Sequence, residues 1–458
     1  MFDTIAAIAT GNTVSAIGII RISGEASIKS VEATFKPSDG RLLSTHTDRT
    51  LIYGDFLDKN GAVIDKCLCT VSHAPNSYTG ENTAELHCHG SRVVLRLVLE
   101  RLFDLGVRQA LPGEFTKRAF INGKLDLIGA EAVIDLIEAE TEEIAKNAAG
   151  QLDGVIYRKI DLIYGQLVDI MSHYHAALDY PDEEIESFSI NEYAAVFENA
   201  VSSIEALAAT YARGSVMKSG VKTVILGKPN AGKSTLLNTL LGFDRAIVTP
   251  TAGTTRDTIE ECAIVNGVRL RLIDTAGLRT AQDDVERIGI DRAIAAASAA
   301  DLALLLIDSA TVQNVDDTQA YLAAASAKHI ILVATKIDLA QNPIKPIYPE
   351  NSRPPDSIVY ISSITGEGIG ELEAAISALF PAINAPPGEI VTSSRQYDAL
   401  RRAADVLNGV IALTQQGSTP DIILTELEAA LDALGELSGK TVREDVVARI
   451  FEKFCVGK

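Results

Sequence analysis

The chain has 458 residues, 47% of them hydrophobic and 22% charged, which excludes a fibrous or disordered polymer and leaves room for about three domains. Its formal charge is −20, which excludes a surface uniformly coated with Lys and Arg for gripping nucleic-acid phosphates. The excess is local: residues 119–214 carry net −13, while residues 1–118 are neutral. Five cysteines (Cys67, Cys69, Cys88, Cys262 and Cys455) are too few, and odd in number, for a disulfide framework. No signal peptide, transit peptide or membrane span is expected, which points to a cytoplasmic protein.

In chain order, Ala16–Ser23 reads as a strand. Leu51–Leu57 and Val63–Val71 read as two strands around the turn Lys59-Asn60-Gly61. Arg92–Leu105 has helical spacing. Lys124–Ala149 and Leu152–Leu178 read as long helices whose acidic faces are solvated. From residue 220 to 380 strands and helices alternate. The strands are Lys222–Leu226, Arg269–Ile273, Leu302–Asp308, Ile330–Thr335 and Ile358–Ile361, with helices such as Lys233–Leu241 and Asp291–Ala299 between them. That alternation predicts a mostly parallel, doubly covered sheet. After a proline-rich loop, residues 394–453 return to helix. Helix on both sides of an α/β unit predicts an α/β domain inserted into a helical one.

Gly227-Lys228-Pro229-Asn230-Ala231-Gly232-Lys233-Ser234 fits G-x-x-x-x-G-K-[ST] between a strand and a helix. Its amides and the helix N-terminus suit phosphate oxygens. Lys233 should reach the β- and γ-phosphates, and the Ser234 hydroxyl should ligate Mg²⁺. Asp274-Thr275-Ala276-Gly277 ends a strand and suits water-mediated Mg²⁺ contact through Asp274 and γ-phosphate sensing by the Gly277 amide. A threonine of Gly253-Thr254-Thr255-Arg256-Asp257 can complete the Mg²⁺ shell. Thr335-Lys336-Ile337-Asp338 places a carboxylate to accept two guanine N–H groups, and Ser362-Ser363 opens the loop that backs the base. Together the phosphate loop and these four segments predict a GTPase. Leu278 stands where Ras-like GTPases carry the water-orienting Gln, so another polar group must position water; Asp283, Asp284 and Glu286 are the local candidates.

Segments from GIIRISG (18–24), APNSYTGENTAELHCHG (74–90) and PGEFTKRAFINGKLDLIGAEAVIDLI (112–137) to the terminal FCVGK (454–458) closely resemble the tRNA modification GTPase family MnmE, also called TrmE. The resemblance implies an α/β N-terminal folate-binding and dimerisation domain (1–118), a discontinuous all-α helical domain (119–214 and 381–458), and an inserted α/β Ras-like G domain (215–380). It implies a homodimeric K⁺-activated GTPase working with the FAD-containing flavoprotein MnmG, in a heterotetramer or larger assembly. The product would be an aminomethyl or carboxymethylaminomethyl group at C5 of the wobble uridine of certain tRNAs. The carbon would come from 5-formyl- or methylene-tetrahydrofolate.

Carried over position by position, the resemblance puts GTP on Asn230, Ala231, Gly232, Lys233, Ser234, Thr235, Thr249, Pro250, Thr251, Ala252, Gly253, Thr254 and Thr255. Asp274, Thr275, Ala276, Gly277, Thr335, Lys336, Asp338, Ser362 and Ser363 complete that site. It implies Ser234 and Thr255 as Mg²⁺ ligands, and Asn230, Thr249, Thr251 and Thr254 as K⁺ ligands. It selects Glu286 as the carboxylate that positions the hydrolytic water, and it matches Arg21, Glu85, Lys124 and Lys458 to folate contacts. Cys455 is either needed in the modification reaction or a small buried residue anchoring the tail. Two positions depart from the family pattern: Thr335 replaces the usual Asn, which costs a contact to guanine N7, and Ser363 replaces an Ala. Cys67, Cys69 and His87-Cys88-His89 lack the two clear ligand pairs of a zinc site, and no metal is assigned to them. The competing class is a regulatory or assembly GTPase with a non-catalytic N-terminal interaction domain.

Overall fold

The structure is a computed structural model, described here for residues 3–11, 13–179, 189–242, 261–273, 294–311, 315–340, 348–349, 352–380, 385–441, 444–452 and 454–457. The first part of the chain builds β1 (Ile5–Ile8), β2 (Ile17–Ser23), α1 (Ser27–Glu32), β3 (Phe35–Pro37), β4 (Ile52–Leu57), β5 (Val63–Ser72) and β6 (Thr83–His89). There follow α2 (Arg92–Phe103), β7 (Arg108–Gln109), α3 (Glu114–Ile121), α4 (Leu127–Ile137), α5 (Glu142–Leu152), α6 (Val155–Asp179), α7 (Ala194–Ala209) and α8 (Tyr211–Ser219). Then come β8 (Val221–Gly227), α9 (Lys233–Gly242), β9 (Glu261–Val265), β10 (Val268–Leu272), β11 (Leu302–Asp308), α10 (Val315–Ala324), β12 (His329–Thr335), β13 (Ser357–Tyr360) and α11 (Ile369–Leu379). The chain closes with α12 (Ser394–Gln415), α13 (Pro420–Ser438) and α14 (Glu444–Phe451).

The chain divides into two compact units. The first holds residues 1–134, 151–204 and 399–458, so helical sequence from both sides of the α/β segment folds into one body. Its sheet has seven strands in the order β3-β4-β5-β6-β2-β1-β7, antiparallel except for β1 with β7. Alternating residues of β2, β4, β5 and β6 bury Ile20, Ile22, Phe56, Val71 and Leu86 against Leu95, Val98 and Leu102 of α2. In the same unit α6 packs along α13.

The second unit holds residues 135–150 and 205–398. Its six strands run β13-β12-β11-β8-β10-β9, parallel except for the β9–β10 hairpin. The central strands β11 and β12 carry unbroken apolar runs, Leu302–Ile307 and Ile330–Ala334, because both their faces are covered. The predicted helix Asp291–Ala299 is described only from residue 294, with residues 294–298 helical.

The single predicted helix Lys124–Ala149 is two helices. Asp126 accepts a hydrogen bond from the Gly129 amide (2.8 Å) and starts α4; Thr141 accepts from Ile144 (3.3 Å) and starts α5. Gly154, at φ 81°, separates α5 from α6. The helical return at 394–453 is likewise divided by Gly417 (φ 71°) and Gly439 (φ 91°).

Candidate active site

In the second unit the phosphate loop leaves β8, the strand flanked by β11 on one side and β10 on the other. In open α/β sheets, ligands bind at such a reversal of strand order, beyond the carboxyl ends of the strands. Gly227 has φ 140°, and a Cβ there would strike the Leu306 carbonyl of β11, so only glycine lets β8 turn into the loop. Asn230 at φ 65° and Gly232 at φ 96° continue the bend. The Lys233 ammonium donates to the carbonyls of Gly227 (2.6 Å) and Lys228 (2.7 Å), so it is folded across the loop it would serve. Burial pushes its pKa down. Ala231 is buried, whereas Ser234 and Thr235, in the first turn of α9, are exposed.

The base side is built from the ends of β12 and β13. Thr335 is 3% exposed and donates its hydroxyl to the Ala231 carbonyl at 2.8 Å. It therefore ties the base loop to the phosphate loop from inside, a role not expected from the sequence. Lys336, at φ 59°, pairs with Asp308 at 2.7 Å. Asp338 is exposed. Ser362 is fully buried, and its main chain closes the backing loop by accepting from Gly366 and donating to Glu367, both at 2.9 Å. Ser363 is half-buried beside it. Thr249, Pro250, Thr251, Ala252, Gly253, Thr254, Thr255, Asp274, Thr275, Ala276, Gly277 and Glu286 lie outside the described residues.

The first unit holds the second group of residues singled out from the sequence. Arg21 of β2 and Glu85 of β6 face each other in register, Nε to Oε1 2.8 Å, each about a quarter exposed or less. The Arg21 guanidinium lies over the rings of Tyr78 (5.3 Å) and Phe115 (5.8 Å). Tyr78 shares a hydrogen bond with Thr116 (2.9 Å), and burial pushes its phenol pKa up. The His87 ring, 3.5 Å from the other oxygen of Glu85, and then Arg21 hold that carboxyl at about 2, against the upward push of burial.

On the helix that carries Phe115 and Thr116, Arg118, 2% exposed, ties Asp3, Glu81 and Glu114 together at 2.9, 3.0 and 2.9 Å. A buried guanidinium is tolerated only with partners on this scale. Lys124 is exposed and its chain lies against Gly80, in the loop that carries Tyr78. Sequence reasoning missed Tyr78, Phe115, Thr116 and Arg118; the signal was an aromatic and a Thr/Arg pair inside segments already singled out.

The tail reaches the same unit. Val456 pairs with Pro112, and Gly457 packs so tightly on the Ile8 carbonyl that no Cβ fits. Cys455 is exposed; Phe454, packed on Phe451, is the anchor instead. Lys458 lies outside the described residues.

Two family descriptions match the chain: the TrmE N-terminus of GTP-binding proteins over residues 4–124, and the MnmE helical domain over residues 127–455. Among curated relatives, the tRNA modification GTPase MnmE of Roseiflexus sp. is 40% identical over 464 residues, covering all of this chain and 99% of the relative. Those of Clostridioides difficile and Symbiobacterium thermophilum are 39% identical over 461 residues and 40% over 457, again across all of this chain and 99% of each relative. Matched by both family descriptions and by these relatives across its full length, this chain belongs to the MnmE family of tRNA modification GTPases.

Proposed function

We propose that this GTPase is K⁺-activated and Mg²⁺-dependent and acts as a cytoplasmic homodimer with the FAD-containing flavoprotein MnmG on tRNA. The reaction modifies C5 of the wobble uridine to aminomethyl or carboxymethylaminomethyl forms. The organisation follows as 1–118, 119–214, 215–380 and 381–458. The observation that carries the reading is the pairing of Arg21 with Glu85 under two aromatic rings, in a chain that also holds a complete phosphate loop. A plain assembly GTPase has no use for that pocket.

Each part of the chain has a task in this reading. The loop amides and Lys233 hold the phosphates, and Asp338 selects guanine. Ser234 with Thr255 supplies the oxygen ligands Mg²⁺ prefers, and Asn230 with Thr249, Thr251 and Thr254 supplies those for K⁺. K⁺ there contributes the positive charge that other GTPases draw from an arginine finger. Glu286 aligns the attacking water. In the N-terminal pocket Glu85 accepts pterin N–H groups, and Arg21, Lys124 and Lys458 face the anionic parts of a tetrahydrofolate, which supplies the one-carbon unit. Exposed Cys455 stands free to take part in the modification.

The test measures GTP turnover in K⁺ and in Na⁺, with 5-formyltetrahydrofolate binding to the intact chain and to Arg21→Ala. Turnover should be at least about tenfold faster in K⁺, and folate binding should be lost in Arg21→Ala. Equal rates in both salts remove Asn230 from its role. Absence of folate binding by the intact chain returns the protein to the assembly class.

A further inference from the structure

The cysteines of β5 and β6 are brought together by strand register rather than by sequence spacing. Leu68 stands opposite His87 and Cys69 opposite Leu86, so Cys67 faces Cys88 one step along. Both turn to the core side of the sheet, 3% and 2% exposed. Asp65, two residues before Cys67, shares that face and is 8% exposed. An Asp65 carboxylate oxygen and the two Sγ atoms all lie within 4.8 Å of one another.

The carboxylate has a particular setting. It accepts from the Lys66 amide (2.8 Å), the His89 amide (2.9 Å) and His89 Nδ1 (2.7 Å). Among the described residues no lysine or arginine pairs with it. A buried carboxylate beside two thiols, with no fixed cation, is costly in an apolar core unless a cation joins it. Two sulfurs and one carboxylate are the donors that Zn²⁺ takes, and hard ions such as Mg²⁺ do not use thiolates. The His89 ring fixes the carboxylate's orientation, as imidazole–carboxylate pairs do around metal centres. Its side chain is 72% exposed, so the carboxylate lies one hydrogen bond from solvent.

We propose that Asp65, Cys67 and Cys88 bind one Zn²⁺-class divalent ion per chain, with the remaining coordination position open to water. This site is separate from the nucleotide site and from the Arg21–Glu85 pocket, which uses the opposite face of β6.

Cobalt tests it on the intact, reduced, chelator-treated protein. One equivalent of Co²⁺ should produce a thiolate-to-metal charge-transfer band that Zn²⁺ then removes. Cys67→Ser and Cys88→Ser should each lose the band, while Cys69→Ser and Cys455→Ser keep it. Because substitutions inside the core can unfold the domain, His89→Ala gives a second measurement at an exposed position. It should weaken Co²⁺ binding about 10- to 100-fold while melting cooperatively and binding GTP as the parent does. Failure of the band to appear, or its survival in both Cys67→Ser and Cys88→Ser, overturns the site. Unchanged Co²⁺ affinity in His89→Ala overturns the part given to His89 in holding the Asp65 carboxylate.

Discussion

Thr335 lies where guanine loops usually carry asparagine, and its hydroxyl is spent on the Ala231 carbonyl, 2.8 Å away and buried. Thr335→Ala would leave that carbonyl unpaired, a penalty of about 1–3 kcal/mol that falls on the loop holding the phosphates. We expect GTP affinity to drop about tenfold in Thr335→Ala and to stay near the parent value in Thr335→Ser. Titration with a fluorescent guanine nucleotide decides it, and equal affinity in the alanine variant would show that the tie is idle. The motif itself was plain in the sequence; that the threonine turns inward to the phosphate loop was not, because spacing says nothing of where a hydroxyl points. Glu85 carries a second residue-scale prediction. Its folded pKa, about 2, lies below its ordinary 4.5. A depressed carboxylate stabilises the fold above its unfolded pKa, and that stability is lost as pH falls through the folded value. Glu85→Gln should therefore be less stable than the parent at pH 7, and the gap should close between pH 4.5 and about 2. Parallel urea melts across that window would show it; a constant gap would mean the carboxylate's charge is irrelevant.

At the scale of elements, segment ends are governed by side chains that periodicity cannot see. The apolar spacing across 124–149 continues through the break between α4 and α5, where Thr141 starts the second helix, so one helix was expected where two stand. Strand β6, in which polar Glu85 and His87 alternate with buried Ala84, Leu86 and Cys88, went unread although that alternation is a strand's pattern. The strands around the phosphate loop were legible because fully buried parallel strands are unbroken apolar runs. Asn147 on α5 shows a connection no pattern announces. Buried at 2%, it accepts from the amides of Gly388 (2.9 Å) and Ile390 (3.2 Å) and donates to the Ile390 carbonyl (3.0 Å). Gly150 and Gly388 meet so closely that a Cβ on Gly150 would fall 2.7 Å from the Gly388 Cα. Together they fasten the stretch after α11 to α5 within the second unit. Asn147→Ala removes three hydrogen bonds to backbone groups and should cost about 2–4 kcal/mol. Amide exchange at Gly388 and Ile390 should quicken in the variant while GTP affinity holds; unchanged exchange there would show that another contact carries the fastening.

For the whole molecule, the net charge of −20 describes no single surface, since residues 1–118 are neutral and the excess sits in 119–214. The insertion expected from helical sequence on both sides of an α/β stretch matches a first unit assembled from three chain segments. Each unit has its own apolar core: Ile20, Phe56, Leu86 and Leu102 in the first, and Leu236, Leu270, Leu304 and Val333 in the second. Each also has its own ligand pocket in the proposed reading, so the two ligands should stabilise different parts of one chain. A ligand that binds only the folded state adds about 2.7 kcal/mol at a hundred times its dissociation constant. Hydrogen exchange on the intact chain separates the two effects. GDP should slow exchange in β8 and β11 and leave β2 and β6 nearly unchanged, whereas 5-formyltetrahydrofolate should do the reverse. If GDP protected β2 and β6 as strongly as β8, the two pockets would belong to one cooperative body. If the folate protected no strand at all, the Arg21–Glu85 pair would be only a brace between β2 and β6.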